Sequence, residues 1–406
     1  MRHAWVVSLL SIPAFVSAQS WQQLPDFPGT ARDDAASFSI NGVIYVGTGL
    51  EVGWGLTNDW YAFDTQTETW SVIAGLPATP RQYCTTFIDG MAGKGYLFGG
   101  VDSNGALNEL WEYDPLNDQW TQRMSLPAEP RFACVGWSNT GSSAQCYIVT
   151  GMLASGVPTN ELWSYDPGAD IWSQRISLPS VPRHRAMGAA TGYSNQVFGG
   201  ADQNFNGLRD VWSYFEPPFE TWFLEYDSLA QPRYEAKVAL GLDYLGTSAP
   251  FLIRGATNNN EFLDDVLLGQ FGNSLIPTFS SGGRRGGVAG RDQFGQRIYF
   301  GTGLSEDLQR HNDWWSLNVG YLGIPEISST SLSIFPNPAN DLIQIITDPS
   351  FTGSRITIFD ASGQLVAERS LPANGSLNIE ALAAGSYVIR LRSSDRIRTG
   401  RFFKLP

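Results

Sequence analysis

A unit of about fifty residues recurs six times in this chain, and this repetition restricts its fold more than any other feature. Four columns keep phase. Aromatics stand at Trp21, Trp70, Trp120, Trp172, Trp222 and Phe271, and arginines at Arg32, Arg81, Arg131, Arg183, Arg233 and Arg285. Glycines follow at Gly49, Gly100, Gly151, Gly200, Gly255 and Gly303, and acids at Asp59, Glu109, Glu161, Asp210, Asp265 and Asp313. Successive members of the first two columns are 49 to 52 residues apart. A unit that short cannot bury its own apolar face, so the units must stack on one another.

Within a unit the pattern is strand-like. In the second, Tyr83 to Ile88 is a β-type run, Gly90 to Lys94 turns the chain, and Tyr96 to Phe98 ends at Gly99-Gly100. Leu110 to Tyr113 follows, Asp114-Pro115 starts a tight turn, and Gln119 to Arg123 surrounds Trp120. Helical periodicity is absent. The 43 glycines, 14 tryptophans and 16% charged residues also suit a turn-rich β protein. Four short strands repeated six times describe an all-β, six-bladed propeller.

The repeat resembles the kelch family. The likeness lies in Phe98-Gly99-Gly100 and Phe198-Gly199-Gly200, in Asn108 through Pro115, and in Asn160 through Pro167. It covers about residues 21–318. The fifth unit departs, with Arg254-Gly255 in place of the glycine pair, and the sixth reads Gly301-Thr302-Gly303, so these two blades are expected to be the least regular. The last unit stops near Leu317-Asn318 with no following Trp, while Trp21 stands one period before Trp70. The segment Trp21 to Leu24 is therefore expected to supply the outer strand of the final blade, closing the ring without a free edge. Deletion of residues 19–28 is expected to unfold it.

Residues 1–18 read as a signal peptide, with Arg2, an apolar stretch from Ala4 to Val16, and Val16-Ser17-Ala18 as a small-residue cleavage site. That stretch is too short for a bilayer span, and no transmembrane anchor is expected. The propeller is assigned to 19–320 and a Ser-rich linker to 321–331. Residues 332–406 form a second module with 8 basic and 6 acidic groups, against 17 and 33 in residues 19–331. Its alternating runs predict a small Ig-like β-sandwich: Leu342 to Ile346, Arg355 to Phe359, Leu365 to Glu368, Ser376 to Ile379 and Ser386 to Arg392.

This module resembles the C-terminal sorting domain of the type IX (Por) secretion system. The likeness runs through Ile334 to Ala339, which holds Pro336, Asn337 and Pro338. It continues through Ile358 to Val366 with Gly363, Leu382 to Arg390 with Gly385, and Arg401 to Lys404. It implies the type IX machinery as partner, a Bacteroidota-type cell, and release or surface attachment after removal of the tail. A cut near residues 320–335 is expected.

Function is less constrained. A net charge of −13 disfavours a nucleic-acid partner. His3 lies in the leader, leaving only His184 and His311 for metal or base chemistry, and no cofactor is expected. Galactose oxidase, a kelch-like propeller, needs copper on two His and two Tyr, a set that two histidines in different repeats do not suggest. Cys84, Cys134 and Cys146 allow at most one internal disulfide, whose pair stays open.

The arginine column has two readings. Arg81, Arg131, Arg183 and Arg233 would bind carboxylate ligands around a central channel. Alternatively, because each column arginine has an acid 27 to 31 residues later (for Arg233, Asp264 beside the column's Asp265), the two columns form a repeated brace. The loops after the glycine column vary between units, and Trp54 and Phe205 there are candidates for stacking on a glycan or a surface protein. Asp202, Asn204 and Asn206 precede Gly207 at alternate positions as in a calcium loop, though Ser213 stands where a bidentate Glu belongs, and an Asn-Gly turn is the default reading.

The favoured reading is an exported binding module. The alternative is an enzyme like the sialic-acid epimerases, which share a kelch-like ring. Arg183, Arg185, Arg233 and Glu235 are its candidates, with Glu235 as acid or base if its pKa is raised.

Overall fold

The computed structural model describes residues 20–319 apart from 139–144, 192–194, 219, 226–227, 244–247, 259–260, 270–277 and 280. It also describes 332–405 apart from 337–338, 347–350, 352, 361–364 and 393–396. The chain divides into two compact units, 1–322 and 323–406. Residues 1–18, the linker 321–331, Phe271, Asn337, Pro338 and Gly363 lie outside the described residues.

In the first unit the opening sheet is a four-strand meander, Ala36–Ile40, Val43–Gly47, Trp60–Asp64 and Thr69–Ile73. Four more sheets have four strands, and the fifth shows three among the described residues. The innermost strands are Ala36–Ile40, Thr85–Asp89, Val135–Ser138, Met187–Ala190, Lys237–Leu242 and Val288–Arg291. Each packs against the next, and the sixth returns to the first, so the sheets close a ring. Their alternating burial follows the two-residue period of a strand. One side faces the channel and the other wedges between sheets. Phe38, Trp60 and Tyr113 from sheets one and two share one such wedge.

The clasp forms as the sequence suggests. Gln22–Leu24 pairs antiparallel with Trp314–Asn318 as the outermost strand of the sixth sheet, with Leu24 opposite Trp314. Phe27, fully buried, fixes it from the next turn by exchanging hydrogen bonds with Asn312.

The glycine column has a backbone cause. At all six positions two consecutive residues have positive φ, and the second is always glycine. The N–H of that glycine donates to the carbonyl of the next sheet's arginine: Gly49 to Arg81 at 2.8 Å, Gly100 to Arg131, Gly151 to Arg183, Gly200 to Arg233, Gly255 to Arg284, and Gly303 back to Arg32 at 2.8 Å. A Cβ on Gly100 would stand 2.6 Å from Cys84 Sγ, and one on Gly151 would stand 2.4 Å from Cys134 Sγ. These two cysteines are small residues packed under glycines, at the place that Ala186 and Ala236 fill in sheets four and five. All three cysteines are free thiols, and burial pushes Cys84 and Cys134 up to about 12.

The second unit has two sheets, one of Ser333–Phe335, Leu342–Ile346 and Ser376–Asn378. The other holds Leu365–Ser370, Arg355–Asp360, Gly385–Arg392 and Ile397–Lys404. Ile343, Ile345, Ile356, Ile358 and Ile389 fill the space between them. The first and last of these strands were not foreseen. Gly385 pairs with Lys404, whose ammonium donates to Asp341 and to the Leu405 carbonyl, and Pro336 is exposed. Among the described residues no helix is long and apolar enough to cross a membrane.

Candidate functional site

The arginine column lies inside the ring wall. Arg183 donates two hydrogen bonds to Asp210 at 2.6 and 2.7 Å, and Arg233 does the same with Asp265 at 2.8 and 2.7 Å. Arg32 pairs with Asp59, Arg81 with Glu109, Arg131 with Glu161 and Arg284 with Asp313. The acid also accepts from the aromatic two residues later, as Glu109 does from Trp111 and Asp210 from Trp212.

Two expectations are corrected here. Arg81, Arg131, Arg183 and Arg233 are at most 1% exposed and committed to these acids, so they present nothing to a ligand, and Arg183 and Arg233 have no access to a substrate. The sixth column member is Arg284, not Arg285. Arg285 is released to the channel, where sequence spacing alone could not separate it from its neighbour.

Two residues beyond each column arginine the chain enters the channel rim. Asp34, Tyr83, Ala133, Arg185, Glu235 and Gly286 all have φ between 53° and 64°. Their backbones form a second closed belt. Tyr83 N–H donates to Asp34 O at 3.1 Å, Ala133 to Tyr83, Arg185 to Ala133, Glu235 to Arg185, Gly286 to Glu235, and Asp34 back to Gly286 at 2.7 Å. Because backbone alone makes the belt, the six side chains carry no repeated structural duty and differ completely.

The belt side chains and their neighbours gather charge. Arg185 and Arg285, from sheets four and six, both donate to the Glu235 carboxylate, Arg285 at 2.7 Å. Arg185 also lies over the Tyr83 ring at 4.6 Å. Burial alone would raise Glu235, but the two guanidiniums outweigh it and hold the carboxyl below its usual range, the reverse of the condition set for an acid role. Asp34 is the group that rises. Burial first, then the charges of Glu235 and Asp33, push it up to about 8. Neighbouring Asp33 bonds Arg310 at 2.6 Å. Burial lowers Lys237, whose amine feels both Asp34 and Glu235. Below the belt the channel is a cavity of about 320 Å³, lined by the six inner strands.

Exposed loop aromatics border the rim. The Trp54 indole lies over Arg310 at 4.7 Å and is 73% exposed. Phe205 lies over Arg185 at 5.4 Å and meets His184 edge-on at 4.9 Å. Burial and Arg185 press His184 down to about 4. Asp34 and Arg310 escaped the sequence reading, and Arg285 entered it only as a column member; the signal that could have found Asp34 and Arg285 is variation at a fixed offset from the column arginine. Asp202 accepts the Asn204 and Asn206 N–H groups at 2.8 and 2.9 Å and the Asn206 amide at 2.9 Å, which makes an Asx turn. Among the described residues no group of three or more His, Cys, Asp or Glu side chains is placed to hold a metal ion.

Comparison with known proteins agrees with this geometry. Residues 14–200 match the KLHDC2/KLHL20/DRC7 Kelch-repeats domain, and 333–404 match the secretion system C-terminal sorting domain. The chain is 27% identical over 165 residues to the human Kelch domain-containing protein 1, covering 39% of this chain and 40% of that one. The mouse protein of the same name is 28% identical over 160 residues, 38% of this chain and 39% of the relative. The chain thus spans about two-fifths of the length of the curated relatives it matches. The solved structure of YjhT superposes with a TM-score of 0.62 at 18% identity, covering 74% of this chain and 98% of that one, which shows a shared fold.

Proposed function

From a chain that carries kelch repeats and a Por-type secretion sorting domain, we propose an exported binding protein whose channel rim takes a carboxylate-bearing sugar. The sorting domain implies passage through the type IX machinery to the cell surface or the medium. Residues 1–18 would serve as the signal peptide, and the cut would fall near the 321–331 linker.

The observation that carries the reading is the convergence on the Glu235 carboxylate of Arg185, a belt residue, and Arg285, the residue next to belt member Gly286. Paired guanidiniums match the planar two-oxygen face of a carboxylate. Gathering buried charges costs stability, and such costs are retained at binding and catalytic sites. With Asp34 protonated, four cations (Arg185, Arg285, Arg310 and Lys237) face two anions (Asp33 and Glu235), in a propeller segment that is otherwise acidic. A glycan and sugar-acid binding screen on the full chain tests this. Binding of sialic or uronic acids that is lost in Arg285→Ala supports the reading, and a blank screen with folded protein overturns it.

One observation favours a second reading, a sugar-acid epimerase or mutarotase. Asp34 holds its proton near neutral pH beside the ionised Glu235, which supplies a general acid at the rim. Accelerated anomerisation of sialic acid, followed by proton NMR and lost in Asp34→Asn, would move the protein from binder to enzyme.

A further inference from the structure

The hairpin after the glycine pair closes with the same bond in five sheets, Thr257 N–H to Glu261 O at 3.0 Å among them, and four of these hairpins lie wholly within the described residues. Glu51 N–H donates to Gly55 O at 2.8 Å, and Leu153 to Val157, Asp202 to Asn206 and Ser305 to Gln309 each at 3.0 Å. Inside each of these four closures one residue donates back three positions: Trp54 to Glu51, Gly156 to Leu153, Phe205 to Asp202 and Leu308 to Ser305. This residue is left-handed in every case, with φ of 69°, 80°, 60° and 62°. Glycine is the unstrained choice there, as sheet three shows, and a bulky apolar residue is a strained one. Sheets one, four and six nevertheless carry Trp54, Phe205 and Leu308, exposed at 73%, 51% and 69%. A strained side chain that faces solvent gives its own fold little in return, which points to contact with something else.

The arrangement says what that contact is. Sheets one and four are three steps apart in a ring of six, so Trp54 and Phe205 stand on opposite sides of the channel axis. Each lies over an arginine of the rim, Trp54 over Arg310 and Phe205 over Arg185. Leu308 shares its loop with Arg310. Sheets two and three present Gly105 and Gly156 on this face, so among the described residues the apolar tips come from sheets six, one and four and do not make a full circle. A folded protein partner would press on the whole circle. An extended ligand would cross it.

We propose that Trp54, Phe205 and Leu308 form an apolar crown that holds the pyranose faces of an acidic oligosaccharide laid across the rim, with its carboxylates over Arg310 and Arg185. This rests on the sugar-acid reading above and extends it: the ligand is a chain, and the crown selects for length.

The test compares monomers and tetramers of galacturonic acid and of sialic acid, titrated calorimetrically into the full chain and into Trp54→Gly/Phe205→Gly. One tetramer should bind the natural chain at least about tenfold more tightly than its monomer. In the variant that ratio should collapse to about one. Its Tm should hold or rise by a degree or two, because glycine relieves the left-handed backbone. A ratio that survives the double substitution, or a Tm that falls, overturns the proposal. Tetramers that bind no better than monomers overturn the crown and leave the rim reading standing. Absence of binding by all four sugars overturns both and leaves a protein as the occupant.

Discussion

Asp34→Asn isolates the electrostatics of the rim from the rest of the fold. Asp34 is 4% exposed and its carboxyl is pushed up to about 8, against 3.8 for a free side chain. A carboxyl whose pKa is higher in the fold holds its proton more tightly there. Its contribution to stability is therefore fully present below 3.8 and is lost as the pH rises through 8. Each pH unit inside that window is worth about 1.4 kcal/mol, so the wild type gives up about 4 kcal/mol between pH 5 and 8 through this one group. Asparagine keeps the volume, tolerates the φ of 55° and has no proton to lose. The stability gap between Asp34→Asn and wild type should widen by about 4 kcal/mol across that range, in favour of the variant. Subtracting the two curves cancels His184, whose lowered pKa works in the opposite direction. Urea unfolding followed by tryptophan fluorescence reads the propeller alone, since no tryptophan lies beyond Trp315. Parallel curves from pH 5 to 8 would mean that Asp34 is ionised in the fold and that the rim holds no protonated acid.

Two further outcomes check the scaffold. Phe27→Ala should destabilise the propeller by about 3–5 kcal/mol in the same unfolding assay, because it empties the fully buried anchor of the clasp; deletion of 19–28 should abolish the cooperative transition. Arg183→Ala should cost about 3–5 kcal/mol by leaving Asp210 without its partner. Arg185→Ala, two residues away, should cost less than half of that, because Arg285 still holds Glu235, while sugar-acid binding measured by calorimetry is lost.

The fold was legible because its physics repeats. A closed ring needs the same brace, the same glycine pair and the same wedge of aromatics in each sheet, so each leaves a column in the sequence. The clasp was legible for a related reason: Trp21 sits one period too early to belong to any other unit. The rim was only half legible. Glu235 and Arg185 were visible as charges near a column, but the role assigned to Glu235 depended on a raised pKa, and two guanidiniums from other sheets reverse it. Arg285 was hidden behind Arg284 because adjacent identical residues cannot be told apart by a period that drifts from 49 to 52. Asp34 carries no motif. Its proton is held by burial, by adjacent Asp33 and by Glu235 about 200 residues away in sequence, which only the closed ring brings beside it.

The backbone belt explains how one ring can keep its fold while its rim changes. The six rim residues are joined N–H to O around the channel, so the left-handed backbone is required and the side chain is not. Ala133 is the place to test this, since its methyl group lies between Tyr83 and Arg185 in belt order and makes no polar contact of its own. Asparagine and aspartate adopt left-handed φ with little strain. Ala133→Asn should therefore change stability by less than about 1 kcal/mol, while adding a hydrogen-bonding group beside the Arg185 guanidinium. The unfolding midpoint should hardly move and sugar-acid affinity should shift severalfold in either direction. Loss of stability comparable to that of Arg183→Ala would show that the rim side chains also hold the ring, and that variation among the six positions reflects packing rather than a site.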